Sequence, residues 1–169
     1  EEVTRPETSF DSPRLVDRAL RTGSELSALR QMFAQAPGFM CFTRGRDHVF
    51  EIVNDAYLQL VGHRNVVGMS VATALPEVVD QGFIQLLDGV FTTGEPFIGK
   101  DLRAQLQLTP GAPLEDRYLD FIYQPIRDAS NEVVGIFVQG QDVTARHHAA
   151  AATARAEGEL RFLAGLLPG

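Results

Sequence analysis

The 169-residue chain has no tryptophan, one cysteine and one lysine. A lone Cys41 excludes an intramolecular disulfide and any multi-cysteine zinc site, and it agrees with a reducing cytoplasm. No stretch approaches the roughly 20 consecutive apolar residues of a membrane span; the longest near-apolar run is 133–138. Positive charge is scarce as well. The 15 Lys+Arg stand against 22 Asp+Glu, a formal net charge of −7, so the basic stripe that a nucleic acid or an anionic membrane requires is missing. All the basic residues but Lys100 are arginine, a bias read as genomic base composition and not as function. Hydrophobic residues make up 44%, too many for general disorder and enough for one ordinary core at this length. The first residue is Glu1, so a segment of a longer chain is expected.

Residues 1–13 carry Pro6, Pro13 and little apolar content, which reads as a flexible leader. Over 14–36, Leu15, Ala19, Thr22, Leu26, Leu29 and Phe33 recur at alternating spacings of four and three. That periodicity predicts an amphipathic helix, opened by Pro13 and stopped at Pro37-Gly38. Strand-like runs at 39–43 and 49–53 flank a polar turn, Arg44-Gly45-Arg46-Asp47. Asn54 and Asp55 then look like caps of a short helix ending at Gly62. Further helical stretches fall at 71–79, interrupted by Pro76, and at 83–91, ended by Gly94. Strands are expected at 97–108, 117–125 and 132–141, with Asn131 as a positive-φ turn residue, and a last helix from Ala145. The three late strands lie too close together for crossover helices. They should form a meander in an α+β fold, one antiparallel sheet with helices on one face.

Several of these pieces resemble PAS domains. Val53-Asn54-Asp55-Ala56-Tyr57 through Gly62 is similar to the family's first strand-to-helix junction, and Val67-Gly68-Met69-Ser70 with Leu75-Pro76-Glu77 to the short helices after it. Pro125-Ile126-Arg127-Asp128, Val133-Val134-Gly135-Ile136 and Asp142-Val143-Thr144-Ala145-Arg146 resemble the last hairpin and the closing Asp-(Ile/Val)-Thr signature. The resemblance covers 37–146. It implies a five-stranded antiparallel sheet with short helices on one face, flanked by an N-terminal helix over 14–36 and an outgoing helix over 147–169. The segment 160–169 also matches 29–38 at four of ten positions, so it is a candidate start for a second PAS-like unit.

The resemblance raises the question of a cofactor. Flavin photosensors of this class carry a reactive cysteine after the junction helix, where this chain has His63-Arg64-Asn65. They also carry a flavin-facing Gln two residues before the closing Asp, where this chain has Gly140. Haem-binding members place a ligating histidine on the long middle helix, and 80–91 has none. A covalent flavin and a haem are therefore not expected. Cys41 reads as a small buried hydrophobe, and His48 and His63 as surface histidines or isolated metal ligands. His147-His148 lacks the following acid of kinase phosphoacceptors and reads as a solvated first helical turn. No nucleophile elbow or phosphate loop is visible, so this segment is not read as an enzyme.

What remains is an apolar cavity, with Phe83, Leu87 and Phe91 of the middle helix facing Tyr118, Ile122 and Phe137 of the late strands. Gln139 is the candidate polar contact, or else an exposed sheet residue; Asp120 shares the side of Tyr118 and Ile122 and meets either the ligand or water. Asp142, Val143 and Thr144 form the candidate signalling junction. The implied function is a sensory and dimerisation module of a bacterial multidomain signalling protein, with a histidine kinase downstream and a homodimer formed through the flanking helices. The alternatives are a haem- or flavin-bearing redox or light sensor, or a structural spacer that binds no ligand.

Overall fold

The computed structural model describes residues 12–168. The leader thus lies outside the described residues except for Ser12 and Pro13, which already belong to helix α1 (Ser12–Gln35). Strands β1 (Phe39–Arg44) and β2 (Val49–Val53) follow. Next come α2 (Asp55–Leu60), α3 (Val71–Ala74), a 3₁₀ turn (Pro76–Gln81) and α4 (Phe83–Thr93). Strands β3 (Phe97–Leu106), β4 (Glu115–Arg127) and β5 (Val133–Asp142) complete one sheet, and α5 (Thr144–Leu166) leaves it. The strand order is β2-β1-β5-β4-β3, every pair antiparallel. The fold is α+β, five antiparallel strands with short helices packed on one face.

Local chemistry sets the element ends. Asn54 caps α2 and Ser70 caps α3, each accepting from a backbone N–H three residues on. Pro76 opens the 3₁₀ turn, where its missing N–H costs nothing. Gly94 ends α4 at φ 71°, a conformation a side chain would strain. Asn131 takes the positive φ (65°) predicted for it, in a turn where Asp128 Oδ1 accepts from the Ser130 and Glu132 amides.

The inner sheet face carries Phe39 and Cys41 of β1, Ala104 and Leu106 of β3, Leu119, Phe121 and Tyr123 of β4, and Ile136 and Val138 of β5, all buried against α2, α4 and the turns between them. This reverses the expected phase of β4 and β5. Tyr118, Ile122, Phe137 and Gln139 lie on the outer face, where Phe137 pairs with Phe42 of β1, and Gln139 stands between Met40 and Ile122. Both faces of β5 are apolar, so alternation alone carried no phase information; pairing partners decide it. The segment 160–166 continues α5 as helix, as 29–35 ends α1.

Candidate functional site

Between the inner face and the helices lies an apolar cavity of about 60 Å³, lined among others by Phe39, Tyr57, Val78, Phe83, Phe121 and Val138. It has room for about two waters, well below the roughly 300 Å³ at which ligand pockets begin. Of the residues expected there, only Phe83 lines it. Leu87 is buried in the same core, and Phe91 is half-buried at the far end of α4 beside His48. Residues not foreseen supply the polarity. Burial pushes the Cys41 thiol and the Tyr57 and Tyr123 phenols upward, so all three stay neutral.

The cavity wall is latched by polar side chains. Arg64 donates to the carbonyls of Val61, Ala74 and Gln107 and to Glu77 Oε1 at 2.7 Å, while Glu77 Oε2 accepts from Gln107 N. Gln81 pairs with both backbone groups of Gln105, at 2.8 and 2.7 Å, as a neighbouring strand would. The 3₁₀ turn is thereby bonded to the open edge of β3, which would otherwise present unpaired amides.

His48 is not at the surface. It is buried beneath α4, with Nε2 2.7 Å from Asp88 Oδ1, at φ 53°. The turn from Gly45 folds it inward, and Val71 N donates to its carbonyl. His63, also at positive φ, is exposed.

The exit from β5 carries a second polar network. Asp142 Oδ1 accepts from the amide and hydroxyl of Thr144. The same hydroxyl accepts from Tyr118 N at 3.0 Å, and Tyr118 O accepts from Val143 N at 2.8 Å. Both backbone groups of one β4 residue are thus committed to the start of α5. Outside this knot, the His147 imidazole stacks on the Tyr118 ring at 3.5 Å and 7°, with Nδ1 2.9 Å from Asp101 Oδ2. His147 is therefore a clamp between helix and sheet and not a solvated residue. Asp120 turns away from the cavity: Oδ1 accepts from Asp101 N and Oδ2 from Arg146. Those bonds, the backbone one first, hold its carboxyl below the usual range.

A protein-family model described as the PAS fold matches residues 33–148. This chain belongs to the PAS family. The module is a sensory one. Three solved structures share the fold at low identity. The PAS domain of a Colwellia psychrerythraea protein is 14% identical, with 71% of this chain and 98% of that one covered and a TM-score of 0.55. The PAS domain of Bordetella pertussis BvgS is 19% identical over 80% and 98%, at 0.53. The Vibrio cholerae VqmA dimer, described in the absence of its target DNA and in connection with DNA binding by LuxR-type receptors, is 22% identical over 70% and 52%, at 0.55. This chain spans only about half of VqmA.

Two positions bear on the expectation about a covalent flavin and a haem. Gly140 faces inward, and a Cβ there would lie 2.4 Å from Asp120 O and 2.6 Å from Phe39 and Phe121, so the position of a flavin-facing glutamine has no space for a side chain. Among the described residues no histidine lines the cavity. No described helix is long and apolar enough to cross a membrane.

Proposed function

We propose that this PAS domain converts a change at its inner sheet face into movement of α5, which passes the signal to an effector later in the parent chain. One observation carries this reading. Tyr118 holds Val143 and Thr144 by its backbone, and its neighbour Leu119 lines the cavity. A ligand or packing change that shifts β4 must therefore move the first turn of α5 or break those bonds. The ligand acts only through its different affinity for the two arrangements.

The flanking helices supply the partner. Leu26, Leu29 and Met32 of α1 and Leu160, Phe162 and Leu163 of α5 are each at least half exposed, apolar surface that a second copy would cover. A homodimer through α1 and α5 is the assembly we assign. The effector we assign is a histidine kinase of a bacterial two-component pathway, in the cytoplasm. With net charge −7, the domain itself is not assigned a nucleic-acid contact. The target DNA of VqmA belongs to a protein of which this chain matches half.

The test is the full-length parent chain carrying Asp142→Ala with Thr144→Val. Loss of regulation with an intact domain fold supports transmission through the junction. Normal regulation in that double variant contradicts it.

A further inference from the structure

A second cleft, about 210 Å³ in volume, opens where the incoming and outgoing helices approach the sheet. Its walls are Pro37 from the α1–β1 connection, Gln59 and Leu60 of α2, Leu108 beyond β3, Arg117 of β4 and Asp142 of β5. It holds about seven waters' worth of space, the size class of a single amino acid. The floor is apolar, and the charges are of both signs.

Those charges are poorly matched to each other. Arg117 Nη1 stands 3.6 Å from Asp142 Oδ2, beyond hydrogen-bond length, and Nη2 reaches Glu115 only at 3.4 Å. Arg117 Nε is buried with no acceptor among the described residues. By contrast, Arg44 holds Glu51 through Nε and Nη2 at 2.9 and 3.0 Å, the fork geometry a guanidinium adopts when a carboxylate is in reach. Asp142 spends Oδ1 on Thr144, and Oδ2 faces Arg117 across the gap. Arg117 Nε is closed off from water, so what the cleft offers a ligand is the loosely paired Nη1 of Arg117 and Oδ2 of Asp142. With Glu115 beside Arg117, one positive charge meets two negative ones, which disfavours a simple anion. A ligand carrying both signs satisfies the donor and the acceptor together.

We propose that this cleft binds a free α-amino acid with an aliphatic side chain. Its carboxylate meets Arg117, its ammonium meets Asp142 Oδ2, and its side chain lies over Leu60 and Leu108. The site shares Phe39 and Leu60 with the wall of the interior cavity, and Pro37 and Asp142 place it beside the connections that follow α1 and precede α5. Binding stands on this geometry alone. Its consequence for signalling rests on the transmission reading, because Asp142 also serves the junction.

The experiment is isothermal titration of the 169-residue protein with L-leucine, N-acetyl-L-leucine and L-leucinamide. Leucine binds saturably, and each blocked analogue, lacking one charge, binds at least about tenfold more weakly. Arg117→Met, which keeps the aliphatic stem, weakens leucine by about the same factor. Ala104→Val, which fills the interior cavity, leaves leucine binding unchanged. No saturable leucine binding, equal binding of the blocked analogues, insensitivity to Arg117→Met, or loss on filling the interior each overturns the proposal. The analogue arms are read on the unaltered protein, so they decide the matter even where Arg117→Met fails to fold. A failure here leaves the Asp142/Thr144 experiment on the parent chain unaffected.

Discussion

The chain turns from strand to helix at two polar junctions, and they are built in opposite ways. At the β2–α2 junction, Asn54 is fully buried: its Oδ1 accepts from Met40 N and Tyr57 N, and its Nδ2 donates to Gly38 O. One side chain there ties an adjacent strand, a helix start and the preceding turn together. At the β5–α5 junction, Asp142 is half exposed, and the bonds run through Thr144 to the backbone of Tyr118. The first junction is a fixed corner. The second rests on the rim of the sheet, where few bonds must break for the helix to swing, and signalling elements are drawn from such low-stability regions.

That contrast can be broken by substitution. The largest effect belongs to Asn54→Ala, which strands two amides and a carbonyl in the core. It costs about 3 kcal/mol and lowers the melting temperature by about 10 °C, read by calorimetry. Thr144→Val leaves Tyr118 N without its acceptor and costs about 1–2 kcal/mol, with the loss concentrated at α5. His147→Ala removes the stack on Tyr118 and a partly exposed contact with Asp101, so it costs about 1 kcal/mol or less. It frees the first turn of α5 with little change in the core, read from amide exchange at 147–150.

Acid probes the same rim. The folded-state value of Asp120 is depressed, so its bonds to Asp101 N and Arg146 are fully present above the unfolded value, about pH 4. They are lost as the pH falls through the lower folded-state value. The His147 amide, bonded to Val143 O, should lose protection below about pH 4 in the native protein and show no such step in Asp120→Asn.

The fold was legible because its signals were local and mutually consistent. Asn54, Gly94 and Asn131 each announce an element end by local chemistry that acts within a few residues. The site was legible only in part. Asp142-Val143-Thr144 could be singled out because a motif resides in adjacent residues, whereas Tyr118, to which Thr144 bonds across the sheet, was assigned to a cavity. The facing of β4 and β5 could not be read from their own residues, since Phe137 and Ile122 are as apolar as Ile136 and Val138. His48 defeated the reading for a related reason: a polar residue in a turn looks exposed until Asp88, forty positions away, is placed over it. The Arg64–Glu77 and Gln81–Gln105 latches are likewise contacts between distant segments, with no signature in either alone.

The central claim is that Tyr118 couples the cavity-lining strand to the outgoing helix through Thr144. Residue-resolved amide exchange in Thr144→Val tests it most directly. Amides 147–150 should exchange about tenfold faster, or more, while Ile136 and Val138 keep their protection. Unchanged exchange at 147–150, or a uniform loss across the sheet, would contradict it.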